Sequence, residues 1–144
     1  MSGAALDALE KIDSSAALSI ATKASTQKIK KRLNTSVTAI LAKYGDESIF
    51  DFIAKQFEVL NDQSAEKFYM TVAFGQLLHK VNSPSKFKKG IDLIVKFRES
   101  IPKEYRSQSD PYFNTKVLAE ILKAKKAKGQ QDLVEMVIAV IPKI

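Results

Sequence analysis

The chain has no cysteine, no tryptophan, one histidine, five glycines and four prolines among its 144 residues. Without cysteine there is no disulfide, no thiolate nucleophile and no cysteine-based zinc site, although no compartment follows from that. The single histidine, His79, cannot build the two-histidine HExxH zinc site, and no Ser or Cys stands paired with it for nucleophilic catalysis. Glycines 45, 75, 90 and 129 are isolated, which excludes a phosphate-cradling loop. No run approaches the roughly 20 apolar residues that cross a bilayer, and no charged-then-apolar start resembles a signal peptide, so a soluble chain is expected. Arginine is scarce too. Of 23 basic residues all but Arg32, Arg98 and Arg106 are lysine, which lacks the planar fork suited to phosphate or base recognition, and nucleic acid is not the expected partner.

What is present is apolar spacing of the helical kind. Residues 68–81 are apolar around nearly the whole helical circumference, which predicts a buried central helix on which the rest packs. Before it, the spacing predicts helices over 4–12, 15–24, 26–44 and 49–60, with Gly45 as a left-handed stop and Asp46, Glu47 and Ser48 as acids and cap ahead of the fourth. After it, Ser83 and Pro84 pair as cap and first helical residue for a helix ending at Pro102. Residues 103–109 read as a loop or short turn. Asp110 and Pro111 repeat the cap-and-proline device for a helix to about Lys128, stopped by Gly129, and a last helix runs from Gln130 or Gln131 to about Ile141. Gly75 and Gly90, inside helical patterns, mark close helix contacts. Helix endings around Leu9, Leu41, Leu78 and Leu122 resemble one another at steps of 32, 37 and 44 residues. The expected class is therefore all-α, an irregular HEAT- or armadillo-like array of about eight or nine helices in one domain over 1–144, with a compact irregular bundle as the rival.

Charge is uneven. Residues 1–72 carry 9 basic and 9 acidic side chains, residues 73–144 carry 14 and 7, so the net charge of +7 belongs to the second half. Lys123, Lys125, Lys126 and Lys128 form the candidate partner-binding patch, although a solvated helix C-terminus is the plainer account of them. Val134 and Ile138 lie off the apolar face of the last helix and are expected to remain outside for a partner to cover. Lys28, Lys30, Lys31 and Arg32 form a second basic run. Asp46, Glu47 and Asp51 read as helix-capping acids rather than acid-base catalysts.

Several segments resemble the C-terminal helical region of aminopeptidase N-type zinc metallopeptidases: Ala5 to Leu9, Leu41 to Asp46 with Phe50 and Phe52, Gly90 to Leu93, and Asp110 to Asn114. The resemblance implies a HEAT-like domain, excised from a larger chain, that stands beside a zinc-bearing catalytic domain and limits which peptides enter its cleft. Its implied partners are that catalytic domain and, indirectly, peptide substrates. The family's zinc ligands and catalytic groups lie outside this chain, so no catalytic residue, metal ligand or cofactor is assigned to it. The alternative is a freestanding helical adaptor whose basic half holds an acidic protein or nucleic acid.

Overall fold

Helical periodicity, caps and turn residues settle the fold segment by segment. A computed structural model describes residues 3–25 and 35–141, and within these every regular element is helical. Helices α1 (Gly3–Ile12), α2 (Ser14–Ser25) and α3 (Thr35–Tyr44) pack together, and α4 (Phe50–Val59) follows a 3₁₀ turn at Glu47–Ile49. Asp46 caps that turn by accepting the Ser48 N–H, as the sequence predicts. The expected helix start at Thr26, its apolar positions Ile29 and Leu33 and the basic run from Lys28 to Arg32 lie outside the described residues.

The central helix, α5, spans Ala65–Leu78 behind the N-cap Ser64, whose hydroxyl accepts the Lys67 N–H. It touches α3, α4, α6 (Pro84–Ser100) and the helical run beyond residue 106. Met70, Phe74, Leu77 and Leu78 are buried in that contact, and Phe74 stacks on Phe57 of α4 at 4.9 Å between ring centroids. Burial all round does not hold, because Tyr69 is 73% exposed: neighbours cover most of the circumference and leave its side to solvent. Ile12, which recurs at helical spacing with Leu6 and Leu9, is likewise outside at 83% exposure.

Helix α6 starts as predicted, with the Ser83 hydroxyl accepting the Lys86 N–H and Pro84 in the first turn, and buries Phe87, Ile91, Ile94 and Phe97. Its Gly90 lies under Leu78 so closely that an added Cβ would sit 2.4 Å from Leu78 Cδ2, and Gly75 meets Val117 in the same manner. Gly45 corrects the expectation of a left-handed stop. Among the described residues only Gly129 has a positive φ, at 68°; at Gly45 a Cβ would instead meet the Leu41 carbonyl oxygen at 2.4 Å.

The largest departure follows α6. Residues 103–109 are a 3₁₀ turn, Lys103–Tyr105, and the first part of helix α7, Arg106–Pro111. Pro111 is therefore inside a helix and not at its start. Proline has no N–H and its ring crowds the carbonyl four residues back, so an α-helix cannot simply continue through it. The chain widens into a π-helical segment, Tyr112–Leu118, in which the Ala119 N–H reaches back five residues to the Asn114 carbonyl, and returns to α-helix in α8, Ala119–Ala127. Helix α9, Gln131–Ile138, closes against α6 and α8.

Candidate functional site

The last carbonyls of a helix have no partner within it, and lysine or arginine side chains can supply one. This chain does so repeatedly, across elements. Lys67 Nζ donates to Leu60 O after α4 (3.3 Å), Arg98 Nη1 to Val140 O after α9 (3.0 Å), and Arg106 Nε to Ile101 O after α6 (3.0 Å). Lys80 Nζ reaches Lys43 O at 3.0 Å and also Gly45 O, at the end of α3.

The C-terminal end of α5 receives most. Lys125 Nζ donates to His79 O (3.0 Å) and Val81 O (2.7 Å) and lies 5.2 Å from the Phe87 ring centroid, while Lys128 Nζ adds a second bond to His79 O at 2.6 Å. Glu47 Oε1 accepts the N–H groups of Asn82 (3.1 Å) and Ser83 (2.8 Å), and Gln130 Nε2 donates to Asn82 Oδ1 at 3.0 Å. The Gln130 Oε1 acceptor is the one buried side-chain atom of this clasp without a partner among the described residues.

The expected lysine patch is therefore divided. Lys123, Lys126 and Lys128 are exposed, but Lys125 is 0% exposed and belongs to the core. Burial, followed by the neighbouring Lys128 charge, lowers its pKa from 10.5 to about 8. A pattern in the sequence points to this placement: Phe113, Val117, Ile121 and Lys125 recur every fourth residue, so Lys125 continues an inward stripe. Val134 is also buried, contrary to expectation, because α9 is held between α6 and α8; Ile138 stays outside at 49% exposure, in an open depression with Val95 and Ile141. His79 is half-buried, and burial first, then Lys125, holds its imidazole below the ordinary value, neutral at neutral pH. No group of three or more His, Cys, Asp or Glu side chains able to hold a metal occurs among the described residues, and no helix there is long and apolar enough to cross a membrane.

The opposite end of α5 has another character. Phe68 of α5, Phe97 and Ile101 of α6 and its exit, and Pro102 and Tyr105 of the connection to α7 wall a groove of about 640 Å³, with Ser64, Ser100 and Gln108 at its edge. That volume lies within the roughly 300–1,000 Å³ usual for a ligand pocket. Phe68 is fixed from behind by stacking on Tyr112 at 4.4 Å and by the edge of Phe113 at 5.6 Å; Phe97 is held edge-on by Phe57 at 5.9 Å. Among the described residues Asp62 is the groove's only charged lining residue, and Lys67 Nζ sits 2.6 Å from its Oδ1, which balances it. Ser109, also lining the groove, is 7% exposed, and its buried hydroxyl has no hydrogen-bond partner among the described residues. No single segment announces this site. It is assembled from residues 62–68, 97–102 and 105–109, and the last of these lies in the stretch read as a loop or short turn.

Comparison with known proteins finds no matching family model, no matching curated protein and no matching solved structure.

Proposed function

We propose that the chain is a non-catalytic helical recognition domain that holds a segment of peptide in the groove between α5, α6 and α7. The observation that supports this most is the groove's chemistry: aromatic side chains at Phe68 and Tyr105 and a charge at Asp62 that Lys67 balances. Such a surface suits an uncharged apolar side chain, and the polar edge suits the flanking peptide backbone. Titrating isotope-labelled protein with capped tripeptides that differ in the central residue tests the reading. Amide shifts centred on Ser100, Gln108 and Ser109 are expected with aromatic peptides, and their absence with every peptide would overturn it.

A narrower form of the proposal makes the domain the HEAT-like C-terminal wall of a larger zinc aminopeptidase. It rests on the sequence resemblance, and it leaves zinc and catalysis to the parent chain's other domain. Purified domain with added zinc should then hydrolyse no amino-acid amide, whereas hydrolysis by homogeneous protein would refute the non-catalytic role. The adaptor reading retains Lys123, Lys126 and Lys128 as exposed cations. Reversing Lys123 and Lys126 to Glu should abolish any salt-sensitive binding to an acidic protein or nucleic acid if that reading is correct.

A further inference from the structure

Like charges on neighbouring turns of a helix repel, and acids interleaved with lysines offset that repulsion. The outer face of α6 lacks this balance. From Ser85 to Lys96 the helix carries Lys86, Lys88, Lys89 and Lys96 against Asp92 alone, and Asp92 is taken by Lys88 at 2.9 Å. The other acid of α6, Glu99, is held by Arg98 at 3.3 Å and lies 4.0 Å from Arg106. Lys86, Lys89 and Lys96 therefore have no ion-pair partner among the described residues. Lys88, Lys89 and Lys96 are exposed, and with Ser85, Asp92 and Leu93 they line an open trough of about 440 Å³ along the helix. Leu93 is half-buried and packs against the core. Lysine lays its methylene stem along apolar surface and keeps its ammonium in water, so the trough has an apolar floor and a cationic rim.

We propose that this face of α6 docks an acidic amphipathic helix of a partner protein, with an aliphatic side chain of the partner on Leu93 and its carboxylates on Lys89 and Lys96. The surface is separate from the groove between α5, α6 and α7 and does not rest on it. Charge complementarity argues for an acidic occupant, since three lysines of the face are left without an acid. Spacing argues for a helix. Lys89 and Lys96 lie two turns apart, about 10.5 Å at 1.5 Å per residue, which matches two carboxylates at the same interval on a second helix with one apolar residue between them to meet Leu93. Nucleic acid fits less well: the face holds no arginine fork, and Phe87 and Phe97 of the same helix are buried, so no ring is offered to bases. A lipid surface also fits less well, because it takes up apolar side chains that project into it, whereas Leu93 is the half-buried member of the trough.

Three capped peptides, titrated into the isotope-labelled chain, test this: repeats of Glu-Ala-Ala-Gln-Leu-Ala-Gln, the same peptide with Gln for every Glu, and the same peptide with Ser for every Leu. The Glu-Leu peptide should shift the amides of Lys89, Leu93 and Lys96 and bind about tenfold more tightly than either control, the ratio expected of two exposed ion pairs in one case and of partial burial of a leucine in the other. Lys89→Gln combined with Lys96→Gln should remove the advantage over the Gln peptide, and so should raised salt. Both substitutions are at exposed positions, so an unchanged urea midpoint separates lost binding from lost folding. Equal binding of the Glu and Gln peptides, an advantage that survives in the double variant, or shifts centred on Lys123, Lys126 and Lys128 would overturn the proposal, as would no shift with any peptide. If phosphatidylserine vesicles or a thymidine oligonucleotide bind through Lys89 and Lys96 where the Glu-Leu peptide does not, the partner is lipid or nucleic acid and the acidic helix is overturned. Self-association that is lost in the double variant would overturn it in favour of a second copy of this chain.

Discussion

The two ends of α5 face opposite problems and meet them differently. At the C-terminal end the chain leaves polar groups that must be paired, and four side chains from elsewhere converge on them: Lys125 and Lys128 donate to the carbonyls of His79 and Val81, Glu47 accepts the Asn82 and Ser83 N–H groups, and Gln130 donates to the Asn82 side chain. At the N-terminal end Ser64 caps the helix from within its own segment, and the neighbouring α6 exit and α7 stand back far enough to leave a groove with an unpaired hydroxyl. One end is closed by long-range polar contacts; the other is left open. Burial of a charged amine is tolerated only where hydrogen bonds receive it, so the closed end is where the structure is least replaceable. An open end with an orphan hydroxyl beside it contributes less to stability.

Removing the amine that closes one end tests the contrast most severely. Lys125→Ala should lower unfolding stability by about 2–4 kcal/mol, through a cavity beside Phe87 and lost donors to His79 O and Val81 O, read from the urea midpoint. Crowding the same end should cost less. Gly90→Ala is expected to lose about 1–3 kcal/mol, because the new methyl drives into Leu78 and Phe50, and the same measurement decides it.

A pH series sharpens the comparison. The folded chain releases the Lys125 proton near pH 8 while the unfolded chain keeps it to about 10.5, so between those values the unfolded state binds more protons. The stability difference between the unmodified chain and Lys125→Met should therefore rise in favour of the unmodified chain from pH 8 to 10.5. Tyr112, whose pKa burial raises, and Lys80, whose pKa burial lowers, titrate in both proteins and cancel in the difference. A flat difference would mean that Lys125 is solvated. The smallest effect belongs to the open end: Ser109→Ala should be neutral or stabilising by up to about 1 kcal/mol, because it removes a polar group that has no partner to lose. A clear loss of stability would place a structural bond at Ser109 and erase the contrast.

The local parts of this architecture were legible in the sequence. The inward faces of α4 and α6, the Asp46 and Ser83 caps, the Gly129 stop and the close approaches at Gly75 and Gly90 all follow from spacing and backbone chemistry. The errors arose where one residue type has two physical uses. Glycine serves either positive φ or close approach, and Gly45 uses the second. Asp110 and Pro111 are a good helix start, but a π-helical segment lets a helix already under way absorb the proline. Lysine solvates a surface or caps a distant carbonyl, and only the four-residue rhythm from Phe113 distinguishes Lys125 from Lys123 and Lys126. The groove was not legible because its walls meet only after three separated segments have packed.

The π-helical segment makes the facing of α8 depend on local winding in a way that its composition does not reveal. Each α-helical residue advances the chain by about 100° around the axis and each residue of the wider π-helix by less, so rewinding the seven residues Tyr112–Leu118 as α-helix would turn everything beyond them by about 100° relative to α7. The amine of Lys125 would then point away from the end of α5, although every residue of α8 remained unchanged. The segment thus acts as a phase setting between the two ends of one long helix. It sets Ser109 beside the groove and, about four turns later, Lys125 on the side of the clasp, and a change that restored α-helical winding there would break that timing with the chain length unchanged.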